Sequence, residues 1–159
     1  MQVLIISDSH GVLRNLKTAI ERTKPDLVLH LGDCEQQEKA ICKLAPCDVV
    51  FVRGNCDFAS VSPNDRVVEV GNERVFMTHG HLHGVNRDNT GLAAAAAAND
   101  CGVALYGHTH IPEITREDGI VVVNPGSVSY PRQEGHHPTV AVCDVDRFGK
   151  LHFNIVRID

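Results

Sequence analysis

The sequence predicts an α/β fold in which two β-sheets pack face to face with helices on the outside. Three observations lead there. The first half alternates short branched-aliphatic runs with segments of helical spacing, the βαβαβ order of a mostly parallel sheet with right-handed crossovers. The second half carries three hairpin signals, which call for antiparallel pairs. The chain has 159 residues, 43% hydrophobic and 22% charged, enough to bury one well-packed core but not two. With no internal repeat and no linker, residues 1–159 read as a single domain.

Val3 to Ser7 is a short apolar run and reads as a buried strand. Leu13, Leu16 and Ile20 follow at helical spacing and stop before Pro25. Leu27 to Leu31 is a second strand, Glu35 to Leu44 a second helix, and Val49 to Val52 a third strand. Val67–Val70 and Val75–Met77 flank the turn pair Gly71-Asn72. Asn89 to Asp100 holds six consecutive alanines, the best helix formers, with Asp88 or Asn89 as its cap. Val103–Tyr106 is a further strand. Ile111–Thr115 and Ile120–Val123 flank Asp118-Gly119, and Val140–Val145 and Leu151–Ile158 flank Gly149. The expected sum is a parallel half joined to an antiparallel half.

Charge and cysteine usage narrow the function. Lys and Arg number 15 against 20 Asp and Glu, so the net charge of −5 argues against a nucleic-acid partner recruited by overall charge. No apolar run approaches the ~20 residues of a membrane span. The first residues lack a basic signal-peptide region, and the six cysteines show no CxxC spacing; together they read as reduced thiols in a cytoplasmic protein. The antiparallel half offers an edge or face for a homo-oligomer.

Five strand-like runs end abruptly in metal-capable residues. They run into Asp8-Ser9-His10, Gly32-Asp33, Arg53-Gly54-Asn55-Cys56-Asp57, His79-Gly80-His81 and Gly107-His108-Thr109-His110. In open α/β sheets, ligands bind beyond the carboxyl ends of the strands. Each element alone is weak: a Gly-Asp pair is usually a turn, and a strand-end His is usually a hydrogen-bonded loop residue. The ordered set is what carries the reading. Asp8, His10, Asp33, Asn55, His79, His108 and His110 form a mixed nitrogen and oxygen set, suited to Mn, Fe, Zn, Co or Ni. Seven ligands are too many for one tetrahedral ion and fit two ions sharing a carboxylate, an arrangement that can clamp the oxygens of an in-line phosphoryl displacement. A structural zinc site fits poorly, because the candidates are spread over five loops.

Asp8-x-His10, Gly32-Asp33, Gly54-Asn55-x-Asp57, His79-Gly80-His81 and Gly107-His108-x-His110 together resemble the signature of the calcineurin-like metallophosphoesterases. The short chain and the Gly-Asn-Cys-Asp variant are similar to that family's small prokaryotic phosphodiesterases of the YfcE type. The resemblance runs from Val3 to about Arg132. It implies a four-layer αββα sandwich of two mixed β-sheets flanked by helices. It implies two divalent ions, Mn first among the candidates and Ni, Zn, Fe or Co after it. Asp8, His10 and His110 would hold one ion, Asn55, His79 and His108 the other, with Asp33 between them. The implied activity is hydrolysis of a small phosphodiester by a metal-bridging hydroxide, with Asn55, Cys56 and His79 as catalytic residues.

Many relatives carry His where this chain has Cys56. A thiol is a weaker proton donor than imidazolium, so a preference for good leaving groups is expected. Asp57 is expected to orient His10 or another ligand. His81, Asn124, Ser127 and Arg132 are candidate substrate contacts. His83 reads as solvated and His30 as a satisfied core histidine. An eukaryotic retromer subunit resembles the same fold and works as a non-catalytic scaffold. That is the alternative function, since fold does not fix activity.

Overall fold

β1 (Gln2–Ile6) shows why the chain folds in layers. Its side chains alternate across the strand. Val3 and Ile5 join one apolar cluster and Leu4 and Ile6 another, so both faces are buried. A strand apolar on both faces belongs at the centre of a sheet covered on both sides. The computed structural model, which describes residues 1–159, puts it there.

The first sheet uses β2 (Leu27–His30), β3 (Asp48–Phe51), β9 (Thr139–Val145) and β10 (Leu151–Arg157) as well, in the order β10-β9-β1-β2-β3. β1, β2 and β3 are parallel, with Val3 opposite Leu27 and Leu27 opposite Asp48. The second sheet has the order β4-β5-β6-β8-β7, from β4 (Asp65–Val70), β5 (Glu73–Thr78), β6 (Val103–Leu105), β7 (Glu113–Glu117) and β8 (Ile120–Asn124). β5, β6 and β8 are parallel, and β4 and β7 are antiparallel at the edges.

The sheets meet in a core of Val3, Ile5, Leu29, Leu31 and Val52 against Val75, Met77, Val103, Leu105 and Val123. Outside the first sheet lie α1 (Arg14–Thr23), burying Leu16, Ala19 and Ile20, and α2 (Glu38–Leu44), burying Ile41. Outside the second lies α3 (Thr90–Ala98), whose Leu92, Ala93 and Ala96 pack on Phe76, Ala104, Tyr106 and Val122. The result is the four-layer αββα sandwich of two mixed sheets. No helix is long and apolar enough to cross a membrane.

The expected elements are present, but the division into a parallel and an antiparallel half does not hold. The β9–β10 hairpin returns to the first sheet, where β9 pairs antiparallel with β1, Gln2 opposite Asp144. The central strand needs a neighbour at each edge, and β2 supplies only one. The α2 helix begins at Glu38 rather than Glu35, because Glu35 and Gln36 take left-handed backbone (φ 53° and 68°). Asp118-Gly119 forms its turn with both residues at positive φ, the twist a two-residue hairpin needs. At α3, Asn89 occupies the cap position without a side-chain cap bond, while Asp88 Oδ1 accepts the Thr90 N–H at 3.0 Å.

Candidate metal centre

The parallel strands of both sheets end at the same edge of the sandwich, so the residues following β1, β2, β5 and β6 converge. Asp33 Oδ2, carried by the first sheet, lies 3.2 Å from His79 Nε2, carried by the second. Asp8 Oδ1 lies 3.1 Å from His110 Nε2, 3.7 Å from His10 Nε2 and 3.8 Å from His79 Nε2. His10 Nε2 is 3.3 Å from His110 Nε2 and 3.9 Å from Asp33 Oδ2. Three groups therefore have ligand atoms within 4.8 Å of one another: Asp8, His10 and His110; Asp8, Asp33 and His79; and, at the exposed side, His10, Glu35 and Cys56.

The imidazoles are held from behind. His79 Nδ1 donates to the Leu31 carbonyl at 2.7 Å, and His110 Nδ1 donates to the Tyr130 carbonyl at 2.7 Å. His10 Nδ1 donates to Glu35 Oε1 at 2.6 Å. With the proton on Nδ1, each neutral ring turns an Nε2 lone pair into the cluster, the form a cation takes. Asp8 Oδ2 accepts from Ser7 Oγ at 2.6 Å and from the His108 N–H at 3.1 Å. That leaves Asp8 Oδ1 for the cluster.

The backbone is strained at the same places. Asp8, His10, Asp33, His108 and His110 all have positive φ, between 43° and 69°. Such backbone costs a non-glycine residue about 1–3 kcal/mol and persists where the surroundings over-determine it, typically at functional sites. The motif glycines make room. A Cβ on Gly54 would meet Asp33 Oδ1 at 2.0 Å, and one on Gly107 would meet Ser7 Oγ at 1.9 Å.

Burial alone would raise the Asp8 pKa, but the closeness of the His110 and His79 rings and the Ser7 hydroxyl outweighs it and holds the carboxyl below its usual range. Asp33 is lowered likewise: burial opposes it most, and the nearby His79 and His10 rings with the Cys56 N–H together outweigh it. His79 answers in the opposite sense. Burial would lower it, and the closeness of the Asp33 and Asp8 carboxylates with the bond to the Leu31 carbonyl raises it. Asp8 Oδ1 and His79 Nε2 are nonetheless buried with no hydrogen-bond partner. Unpaired buried polar atoms are costly and rare. A divalent cation satisfies both at once, so the residues present fit one, and a mixed nitrogen and carboxylate set suits a first-row transition metal.

The other expected residues fall as follows. His108 is half-buried, its ring 5.2 Å from that of His79, and its Nε2 accepts from Asn86 Nδ2 at 3.2 Å. Asn55 is exposed, its amide 3.5 Å from Cys56 Sγ. The Cys56 N–H donates to Asp33 Oδ1 at 2.8 Å; burial, then the Asp33 charge, pushes the thiol up to about 11. The His81 ring lies 5.4 Å from His79, and its Nδ1 is buried without a partner. Asn124 and Ser127 are fully buried. Asn124 donates to the Gly107 carbonyl and to Thr109 Oγ1, while Ser127 donates to the Asp8 carbonyl, so both brace the loops from below. Arg132 is exposed and lines a cleft of about 560 Å³ with His10, Glu35, His110, Tyr130 and Pro131.

Asp57 touches no histidine ring by hydrogen bond. Its carboxylate accepts the backbone N–H groups of Asp33 (2.7 Å), Gly54 (2.9 Å) and Glu35 (2.7 Å), tying the Gly-Asp loop to the Gly-Asn loop. His30 is buried and satisfied, as expected. His83 is half-buried rather than solvated, because Asp65 Oδ1 takes its Nε2 at 2.9 Å. Sequence reasoning missed Glu35, Tyr130, Asn86 and Ser7. Ser7, next to Asp8, and Glu35, two residues past Asp33, at least carried the signal of adjacency.

Comparison with known proteins identifies the family. A family model described as the calcineurin-like phosphoesterase superfamily domain matches residues 1–147. The probable metallophosphoesterase YsnB of Bacillus subtilis (strain 168) is 37% identical over 134 residues, covering 83% of this chain and 78% of YsnB. Phosphodiesterase YfcE of Escherichia coli K12 is 38% identical over 115 residues, 67% of this chain and 58% of YfcE. The crystal structure of a conserved protein from Streptococcus pneumoniae TIGR4, described as a predicted phosphoesterase, superposes with a TM-score of 0.83 at 30% identity, covering 98% of this chain and 88% of that one. The chain belongs to the calcineurin-like phosphoesterase superfamily.

Proposed function

We propose that residues 1–159 act as one dinuclear metal-dependent phosphodiesterase, working on a small phosphodiester in the cytoplasm. The observation that carries this reading is the pair of unpartnered buried atoms, Asp8 Oδ1 and His79 Nε2, amid two carboxylates and three Nε2 lone pairs turned into the cluster. Asp8, His10 and His110 would hold one ion and Asn55, His79 and His108 the other, with Asp33 between; Mn heads the list of metals. When bound, such ions supply Lewis-acid charge and a nucleophilic hydroxide for in-line attack on phosphorus.

The chain's own residues then have separate tasks. Glu35, Leu31 and Tyr130 keep the protons of His10, His79 and His110 on Nδ1. Arg132, exposed and without an ion pair, and His81 Nδ1 serve the phosphate oxygens. Asn124 and Ser127 serve substrate by bracing the loops of His108 and Asp8. Cys56 Sγ keeps its proton at neutral pH and gives it up reluctantly. Leaving groups that need no proton are therefore favoured, and Cys56→His should gain most on poor ones.

The test is hydrolysis of bis-p-nitrophenyl phosphate beside p-nitrophenyl phosphate, with Mn, Ni, Zn or Mg, for wild type and His79→Ala. Bound metal is counted by elemental analysis. Diester turnover that needs both metal and His79 is expected. No turnover in protein holding two ions would transfer the weight to a non-catalytic scaffold.

A further inference from the structure

The cleft beside the metal centre has a feature that its ligands do not explain. Tyr130 is 53% exposed, whereas the other tyrosine, Tyr106, is buried with its hydroxyl on Glu113. An exposed aromatic ring is ordinarily mobile, but this one stands on a clamped backbone. The Tyr130 N–H donates to Ser127 Oγ at 2.7 Å, and the Tyr130 carbonyl takes His110 Nδ1 at 2.7 Å. Pro131 follows and limits the backbone further. The ring and that of His10 form a T-shaped pair, 5.6 Å between centroids at 73°, which places Tyr130 directly beside a candidate ligand of the cation.

The cleft of about 560 Å³ lies within the range of small-molecule sites. Its lining brings His10 and His110 together with Tyr130, Pro131, Glu35 and Arg132. An aromatic side chain on a backbone already held in place costs less entropy to dock against than one on a free loop. Planar rings are the partners that gain most from it, at about 1–3 kcal/mol per stacked base.

We propose that Tyr130 and Pro131 form a stacking platform for one ester arm of the substrate, and that this arm is a planar, nucleobase-sized ring. The assignment rests on the phosphodiesterase reading for where the phosphate sits, but it is a statement about binding and is tested as one.

The experiment is calorimetric titration with thymidine 5′-monophosphate and with ethyl phosphate, with and without Mn, for wild type, Tyr130→Ala and Tyr130→Phe. The two ligands share a phosphate monoester and differ in the arm. Wild type is expected to bind the thymidine compound about five- to a hundredfold more tightly. Tyr130→Phe keeps that ratio, since the face and not the hydroxyl does the stacking, and Tyr130→Ala brings it to within twofold. Equal affinity for the two ligands in wild type, absence of binding by either, or an unchanged ratio in Tyr130→Ala overturns the proposal. Hydrolysis of thymidine 5′-(p-nitrophenyl phosphate) against ethyl p-nitrophenyl phosphate, which share a leaving group, separates the two readings. No hydrolysis of either with the binding ratio intact sinks the phosphodiesterase and leaves the platform. Equal loss on both in Tyr130→Ala assigns Tyr130 to supporting His110 instead.

Discussion

Asp33 and His79 face each other across the seam between the two sheets, Oδ2 to Nε2 at 3.2 Å, one carried by each sheet. Asp8 and His110 repeat the relationship at 3.1 Å. A cation seated on these groups would therefore cross-link the layers, and folded protein alone presents the site. At a hundred times its dissociation constant, a ligand specific to the native state adds about 2.7 kcal/mol. For a chain of this length that is about 5–11 °C in Tm. Differential scanning fluorimetry with and without Mn should show that rise in wild type and none in His79→Ala. An unchanged wild-type midpoint counts against a cation site at this seam.

Gly54→Ala tests how tightly the loops are fitted. The added Cβ would lie 2.0 Å from Asp33 Oδ1 and 2.4 Å from the Asp33 nitrogen, and backbone cannot yield as a side-chain tip can. Moving a positioned group by about 1 Å can cost a hundredfold in rate. We expect diester hydrolysis to fall by about that much or more, and the metal-induced rise in Tm to disappear. Gly102→Ala is the control, since its Cβ meets only Glu73 Oε2 at 3.4 Å. Equal behaviour of the two variants would remove the close-packing argument.

Glu35 is expected to govern metal affinity without touching the phosphate. Its Oε1 takes the His10 Nδ1 proton at 2.6 Å, and carboxylates so placed behind a ligand histidine usually account for 10–100-fold in metal binding. Glu35→Ala should weaken Mn binding in an equilibrium titration by about that factor. Glu35→Gln, which keeps a carbonyl acceptor, should recover part of it. Wild-type affinity in Glu35→Ala would show that the contact is incidental.

What was legible in the sequence follows from the range of the interactions involved. Val3–Ser7 and the Asp118-Gly119 turn are local patterns, and both elements stand where expected. The pairing of Gln2 with Asp144 joins chain ends, and no local pattern announces it, which is why the sheets came out mixed instead of segregated. Asp8 and Asp33 could be picked out because each interrupts an apolar run. Glu35 could not: as a glutamate ahead of Lys39, Ile41 and Leu44 it looks like the first residue of a helix. Its left-handed backbone, set by the N–H bond to Asp57, is what turns it toward His10. Asp57 was identified, and of the partners expected for it the structure gives not His10 but the other option, a ligand, Asp33, held through its main-chain N–H, because backbone amides leave no mark in a sequence. Tyr130 was passed over for the same reason, its position being fixed through main-chain bonds to Ser127 and His110.

His30, behind the cluster and in the field of Asp8, Asp33 and His79, gives the fold a pH dependence. It is fully buried; its Nδ1 accepts the Gly32 N–H at 3.2 Å, so the Nε2 proton goes to Ser9 Oγ at 3.0 Å. Burial, only partly offset by the charge of Asp57, lowers its pKa to about 4, against about 6.5 in the unfolded chain. Between those values the unfolded state binds more protons than the native one, so stability rises with pH across the window and is lost as pH falls from about 6.5 toward 4. The full difference is on the order of 3 kcal/mol. Urea unfolding of metal-free protein at steps from pH 7 to pH 4 should show this slope. His30→Gln, which can still accept from Gly32 and donate to Ser9 but does not titrate, should flatten it. Parallel pH profiles for the two proteins would mean that other groups control acid unfolding.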